Sequence, residues 1–370
     1  MIIKNLKLKN FRCFSNFELS FDNKFVLLEG NNGSGKTSIL EAIYYACYLR
    51  SFRAGHKYDL ANYLSDHFFL QVDFQEIDNS LSDIQIGLSK NGQRSVKLNK
   101  NNISSVKEII LRYKVIALTE DDLQLIVGAP EYRRSFLNQS LFLLEPDLIG
   151  YFKDYKKNLE QRNRFLFLNS NKDITGKILD ELYSWTKQLW EKSNFLQNKR
   201  LLFLQNIETQ INIFLKKYFS TVEAQLSIEL KYMKKNIGEY QEFDNFWQNY
   251  KINLLSSEQR WQRSLFGVHL DDFSIIFKNK NARFFASRGQ QKLILFLLKV
   301  VQLTKIQNQD VGVLLLDDFI TDFDIVKLNS AINLLADQNF QSFITSPIKD
   351  FIEFKLEAFS KFDFKIYSLN

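Results

Sequence analysis

Gly30-Asn31-Asn32-Gly33-Ser34-Gly35-Lys36-Thr37 is an unbroken G-x-x-x-x-G-K-[ST] stretch, and no other segment constrains the fold as tightly. The apolar run Phe25-Val26-Leu27-Leu28 before it reads as a buried strand. After it, Ile39, Leu40, Ile43, Tyr44 and Cys47 recur at helical spacing. Strand, glycine loop and helix place successive backbone N–H groups and a helix N-terminus against an anion, which is how a phosphate loop works. The pattern predicts ATP binding by residues 30–37. Lys36 would reach the outer phosphates and the Thr37 hydroxyl would ligate Mg²⁺.

Composition narrows the class. A chain of 370 residues has room for two domains, and 45% hydrophobic with 25% charged residues fits a globular protein. Lysines and an asparagine interrupt the start, Met1 to Lys7, so a signal-peptide core is not expected. No apolar stretch approaches the 18 or so residues of a membrane span. Cys13 and Cys47 lack metal-ligand spacing. The expectation is a cytoplasmic protein without membrane attachment, and a net charge of +7 mildly favours an anionic partner.

The first 120 residues read as a mixed α/β lobe. Leu6 and Leu8, then Phe17, Leu19 and Phe21, alternate as half-buried strands do. Ile84, Ile86 and Leu88 lead through the Asn91-Gly92 turn into Val96 and Leu98, an antiparallel hairpin. From about Thr175 to Phe219 the spacing of Leu182, Leu189, Leu196, Phe203 and Ile207 predicts one long amphipathic helix. Polar Lys192, Lys199 and Asn206 break a regular heptad. An antiparallel arm is therefore expected, its other helices drawn from about 131–168. The division read here is an ATPase head from 1–120 and 265–370, split in sequence, with a helical arm domain inserted at 121–264.

The run Val313-Leu314-Leu315-Leu316 ends in Asp317-Asp318, a carboxylate pair at a strand terminus. Beside a phosphate loop, Asp317 is assigned to Mg²⁺ and Asp318 to the catalytic, water-orienting position. Ser287-Arg288-Gly289-Gln290, 30 residues earlier, precedes a helical run and resembles the signature motif of ATP-binding-cassette ATPases. In that class the motif faces the nucleotide of a second subunit, so two heads sandwich two ATP molecules.

Further motifs agree with one another. Asn10-Phe11-Arg12, Leu40-Glu41-Ala42-Ile43-Tyr44, Ser51-Phe52-Arg53 and Thr119-Glu120-Asp121-Asp122-Leu123 resemble elements of the RecF family, bacterial recombination and replication-repair ATPases related to SMC heads. So do Gly128-Ala129-Pro130 with Arg133-Arg134-Ser135-Phe136-Leu137-Asn138, and Gly267 to Asp272. The likeness spans nearly the whole chain. It departs at Thr119, Val268, Leu270, Asn138 and Thr321-Asp322-Phe323, where the family favours Pro, Pro, Arg, Asp and Ser-Glu-Leu. The resemblance implies a P-loop head of the ABC/SMC type, a mixed sheet with an antiparallel β-subdomain and a helical arm. It implies an ATP-dependent homodimer with Thr321, Asp322 and Asp324 in its interface loop. It further implies DNA binding at gaps and single-strand/double-strand junctions, slow ATP hydrolysis, and action with RecO and RecR in loading RecA, in the SOS response and in replication restart.

Residues 147–219 hold 13 Lys/Arg against 8 Asp/Glu. Lys153, Lys156, Lys157, Arg162 and Arg164, beside Tyr151, Phe152, Tyr155 and Phe165, form a candidate DNA surface, with a solvated helix face as the bland reading. Arg50, Arg53 and Lys57 on the head are the rival surface. His269 with Asp271 and Asp272 is more readily a turn than a metal site. Arg12 serves either the nucleotide or a neighbouring acid. Competing readings are an SMC-like DNA-organising or defence ATPase that does not act with RecA, a transporter-type ATPase subunit, and a P-loop kinase.

Overall fold

The computed structural model describes residues 1–53, 57–89, 91–103, 105–220, 226–236, 240, 242–306, 312–346 and 362–369. The chain divides into two compact units. One comprises Met1–Leu123, Ile211–Leu226 and Ala286–Asn370, the other Gln124–Gln210 and Ser227–Phe285. The divisions thus fall at 123/124, 210/211, 226/227 and 285/286, where the sequence pattern placed two, at 120/121 and 264/265.

The first unit begins with β1 (Ile2–Phe11), β2 (Phe14–Ser20), β3 (Phe25–Gly30) and α1 (Lys36–Tyr48). It continues through β4 (His67–Gln75), β5 (Leu81–Ser89), β6 (Arg94–Leu98), β7 (Asn101–Asn102), α2 (Val106–Arg112) and β8 (Val115–Leu118). Six of these strands form an antiparallel sheet in the order β2-β1-β4-β5-β6-β7. Its alternation is that of a sheet with one buried face: Phe68, Leu70, Val72 and Phe74 point inward, as do Ile84 and Ile86 beside them. The Asn91-Gly92 turn joins β5 to β6 with Ile84 paired to Leu98, as the hairpin pattern predicts.

The second unit holds α3 (Gln124–Val127), α4 (Pro130–Leu144), α5 (Leu148–Leu168) and the 43-residue α6 (Gly176–Tyr218), whose last turns group with the first unit. At 1.5 Å per residue α6 is about 65 Å long. Helices α5 and α6 run antiparallel. Tyr151 lies beside Phe195 with ring centroids 4.9 Å apart, Asn158 donates to Gln188 at 3.1 Å, and Arg162 reaches Thr186 at 3.1 Å. Beyond α6 come β9 (Ile228–Met233), α7 (Phe243–Asn253), α8 (Leu255–Trp261), β10 (Asp272–Phe277), β11 (Lys280–Asn281) and α9 (Ala282–Phe285). The three strands make an antiparallel sheet, β11-β10-β9; β9 lies within 121–264, where only helices are expected, while β10 and β11 lie in the stretch from 265 assigned to the head.

The chain then completes the first unit with α10 (Arg288–Ile306), β12 (Gly312–Leu316), α11 (Ile325–Ala336), β13 (Phe340–Ser346) and β14 (Phe364–Leu369). These strands join β3 and β8 in a five-stranded parallel sheet, β14-β3-β13-β12-β8. Its central strands are buried throughout, which is why they read as unbroken apolar runs. The topology sets the ends of β3, β12 and β13 side by side. No described helix is long and apolar enough to cross a membrane.

Candidate nucleotide site

The phosphate loop leaves β3 at Gly30 and enters α1 at Lys36. Gly35, the N-cap of α1, takes φ 98°, and a Cβ there would lie 2.4 Å from the Phe14 ring. A Cβ on Gly30 would lie 2.5 Å from the Leu369 carbonyl. Both positions require glycine. Lys36 is 6% exposed, and its Nζ donates to the carbonyls of Gly30 (2.7 Å) and Asn31 (2.9 Å). The first-turn N–H groups of α1 have no intrahelical acceptor, so loop, helix end and ammonium together make an anion cradle.

Asp317 follows β12 and reaches the same place. Its Oδ1 accepts from Thr37 Oγ1 and from Thr345 Oγ1, each at 2.9 Å. Burial pushes the Asp317 carboxyl above the usual carboxylate range, the two threonine hydroxyls oppose this, and neighbouring Asp318 adds to it. Thr345 also accepts the Asp318 N–H at 2.8 Å, so one hydroxyl ties both carboxylate residues to β13. Asp318 holds φ 48°, in the left-handed region that side chains usually avoid. Asp318 Oδ1, Ser34 Oγ and Ser346 Oγ are buried without a hydrogen-bond partner among the described residues. Such orphan oxygens, with the all-oxygen set of Thr37 and Asp317, fit a hard cation and phosphate oxygens.

Three motifs that are separate in sequence converge here. Glu41 is fully buried and takes the Arg12 guanidinium in a two-point pair at 2.7 and 2.9 Å. It also accepts from Ser51 Oγ at 2.5 Å and lies 3.6 Å from Arg53. Arg12 and Arg53 in turn line a cavity of about 800 Å³ with Lys36, Thr37, Asp318 and Tyr63. Of the two roles left open for it, Arg12 takes the pairing with an acid, and it also lines this cavity.

At the signature motif, Ser287 and Gln290 cap α10 reciprocally. The Gln290 N–H donates to Ser287 Oγ at 3.4 Å, and the Ser287 N–H donates to Gln290 Oε1 at 3.0 Å. Gly289 lies close to the loop that follows β12: a Cβ there would come within 3.3 Å of the Asp322 carbonyl. Arg288 pairs with Glu120 and lies 3.6 Å from Asp322. Lys292 was not singled out from the sequence, yet it is the hub. It is almost wholly buried, pairs with Asp322, lies 3.7 Å from Glu120, and donates to the Asp318 carbonyl (3.2 Å) and Thr321 Oγ1 (3.3 Å). The signature helix, the carboxylate pair and the loop after β8 thus form one network. The Lys292 hydrogen bond holds Asp322 below the usual carboxylate range. Asp324 caps α11, accepting the Lys327 N–H at 2.8 Å.

The basic cluster separates into two kinds of residue. Lys153, Lys156, Lys157 and Arg164 are exposed on α5. Arg162 is not a surface residue, which corrects its assignment to a DNA contact. It is fully buried, pairs with Glu258 at 2.6 Å, and donates to Tyr250 and Ser264. A charge taken out of water needs such partners. Tyr155 and Phe165 are likewise core residues rather than an aromatic surface. Of the rival head residues, Arg53 lines the cavity and the Lys57 side chain lies outside the described residues. The trio at 269–272 diverges: Tyr155 meets His269 Nδ1 at 2.6 Å, Asp271 accepts from Gln197 and Tyr232, and Asp272 pairs with Arg133. No metal-binding cluster of His, Cys, Asp and Glu occurs among the described residues. Both cysteines are free, Cys47 buried and Cys13 exposed.

A family model described as AAA domain matches residues 5–309. The chain is 29% identical to the DNA replication and repair protein RecF of Acholeplasma laidlawii over 96% of both chains. It is 28% identical to the RecF of Clostridioides difficile over 94% of this chain and 91% of that one. Among solved structures, the recombination mediator protein RecF-ATP of the RecFOR pathway superposes with TM-score 0.77 at 25% identity, covering 94% of this chain and 92% of the other. An Smc head domain from Pyrococcus furiosus shares the fold at TM-score 0.56 and 17% identity, over 99% and 93%. The class is settled by these matches: the chain belongs to the AAA-domain family of nucleotide-binding ATPases, with a head of the RecF/SMC type. Within that class it is a member of the RecF family of DNA replication and repair ATPases.

Proposed function

We propose that this chain is an ATP-operated switch on DNA. ATP enters the loop of residues 30–37, with Lys36 against its outer phosphates. Thr37 and Asp317 would hold Mg²⁺, which when bound neutralises phosphate charge. Asp318 orients the attacking water, steadied by Thr345. Ser287, Arg288, Gly289 and Gln290 face the nucleotide of a second copy, with Thr321, Asp322 and Asp324 at the interface, so ATP closes two heads into a dimer. Hydrolysis is slow and releases it. The observation that carries this reading is the Lys292 network, which binds the signature helix to the Asp318 backbone and to Asp322. A nucleotide at the carboxylates and a partner at the signature therefore act on the same hub.

We read the switch as one of recombinational repair and replication restart, a reading supported by relatives named as a DNA replication and repair protein and as a recombination mediator. On this reading the dimer binds gapped, single-stranded or junction DNA in the cytoplasm, works with RecO and RecR to load RecA, and supports the SOS response. The test measures ATP hydrolysis and oligomeric state in the same samples with and without gapped DNA. Faster turnover and a dimer with ATP and gapped DNA are expected. A monomer under both conditions contradicts the proposal.

A further inference from the structure

We infer that the second unit carries a binding site for single-stranded nucleic acid, built around Trp261. This deepens the DNA reading and rests on it for the class of ligand. Trp261 is 59% exposed, an unusual exposure for the largest apolar side chain. Arg260 and Arg263 place their guanidinium carbons 5.9 and 5.8 Å from its ring centroid. Both arginines are exposed, and neither they nor Arg164 have an ion-pair partner among the described residues.

The group is held in place from beneath. Helix α8 ends at Gln262, whose φ of 55° reverses the chain and brings the Arg263 N–H to the Glu258 carbonyl at 3.3 Å. Glu258 itself is fully buried. One of its oxygens accepts the Leu265 N–H at 2.6 Å while the other holds Arg162 and Tyr250. The next residue, Ser264, is clamped by Asn163 through two bonds of 2.8 Å and by Arg162 at 2.7 Å. Gln259 bonds the carbonyls of Asn169 and Lys172 just beyond α5. These bonds set the end of α5 against the end of α8. Exposed Arg164, Phe167 and Leu168 thus lie on the end of α5 that these bonds tie to α8, which carries Arg260 and Trp261 with Arg263 just after it.

An exposed indole between unpaired guanidinium groups suits a flexible polyanion that carries flat rings. A base stacks on the indole or on a guanidinium plane, and the arginines take the flanking phosphates. Duplex DNA offers the phosphates but keeps its bases stacked inside. Single strands are thus the ligand that uses both halves of the site. The mounting is rigid, so little ordering is required on binding.

The test uses the full-length protein with saturating ATP and Mg²⁺, an oligo-dT probe and a blunt duplex of the same length, each titrated over a salt series. Trp261→Ala should weaken oligo-dT binding by roughly 5- to 100-fold, while Trp261→Phe keeps most of it. Duplex affinity should be unchanged by either. Arg260→Ala with Arg263→Ala should reduce the salt slope for oligo-dT by about 1.4, two contacts at about 0.7 each. Trp261 emission should be quenched by oligo-dT, a signal missing in Trp261→Phe. All the substituted residues are exposed, so melting temperatures should match the wild type. If wild-type protein binds oligo-dT and every variant binds it equally well, the site is refuted, a protein surface remains as the alternative, and the DNA reading stands. If wild-type protein binds neither probe, both readings fail.

Discussion

The Thr37 hydroxyl donates to Asp317 Oδ1 at 2.9 Å across 280 residues of sequence. This bond joins the first helical turn after the phosphate loop to the end of β12. It is possible because β3, β13 and β12 are adjacent parallel strands whose C-terminal ends share one edge of the sheet. Everything between them, including the whole second unit, is accommodated without disturbing that edge.

Lys36→Ala should weaken ATP binding by about 100-fold or more, since charge-assisted hydrogen bonds of about 1.5–3 kcal/mol each are lost. Titration calorimetry gives the affinity, and a melting curve close to wild type shows that the fold survives. Unchanged affinity in a folded variant would remove the nucleotide site from the account.

Arg162→Ala strands Glu258 in the core and should cost about 3–5 kcal/mol of stability, as breaking a buried pair does. Urea denaturation measures it. The triple variant of Lys153, Lys156 and Lys157 to Ala should leave stability nearly untouched. If these lysines contact a duplex backbone, it should instead flatten the slope of log affinity against log salt by roughly 2 to 3. A triple variant with wild-type affinity and slope would point to the head surface.

His269 gives the second unit a pH dependence. Burial pushes its pKa down to about 4, helped by Arg134, Arg162 and Arg200. The folded state keeps the imidazole neutral while the unfolded chain protonates near 6.5. Its contribution to stability is therefore complete above 6.5 and falls away between about 6.5 and 4, up to roughly 3 kcal/mol in all. Asp271, whose carboxyl burial pushes up, acts in the opposite sense, because its folded form retains a proton as pH falls. The difference between wild type and His269→Gln isolates the histidine. Parallel stability curves for the two across this range would contradict the assignment.

How much was legible in the sequence follows from where each signal resides. The phosphate loop, the Asp317-Asp318 pair and the buried strands are local patterns, and the structure brings them together where a parallel sheet must. The convergence on Glu41 was hidden, because Arg12, Ser51 and Arg53 meet it only through folding. Arg162 looked like a surface cation because its partner Glu258 is 96 residues away, and composition cannot reveal a pairing at that range. Lys292 was hidden for the same reason: at the head of the apolar run of α10 it reads as one more solvent-facing lysine beside Lys299 and Lys305, and its partners Glu120 and Asp322 are distant in sequence. The sheet of β9, β10 and β11 left short traces, the inward Ile228 and Leu230 between charged Glu229 and Lys231 and the inward Phe273, Ile275 and Phe277 of β10.

The most direct test of the central claim is the molar mass of three proteins by light scattering with saturating ATP and Mg²⁺. Asp318→Asn binds nucleotide but hydrolyses it slowly, so it should accumulate as a dimer. Wild type should dimerise and then relax as ATP is consumed. Ser287→Arg should bind ATP and remain monomeric, its signature surface blocked. Asp318→Asn remaining monomeric while fully loaded with nucleotide would contradict the account.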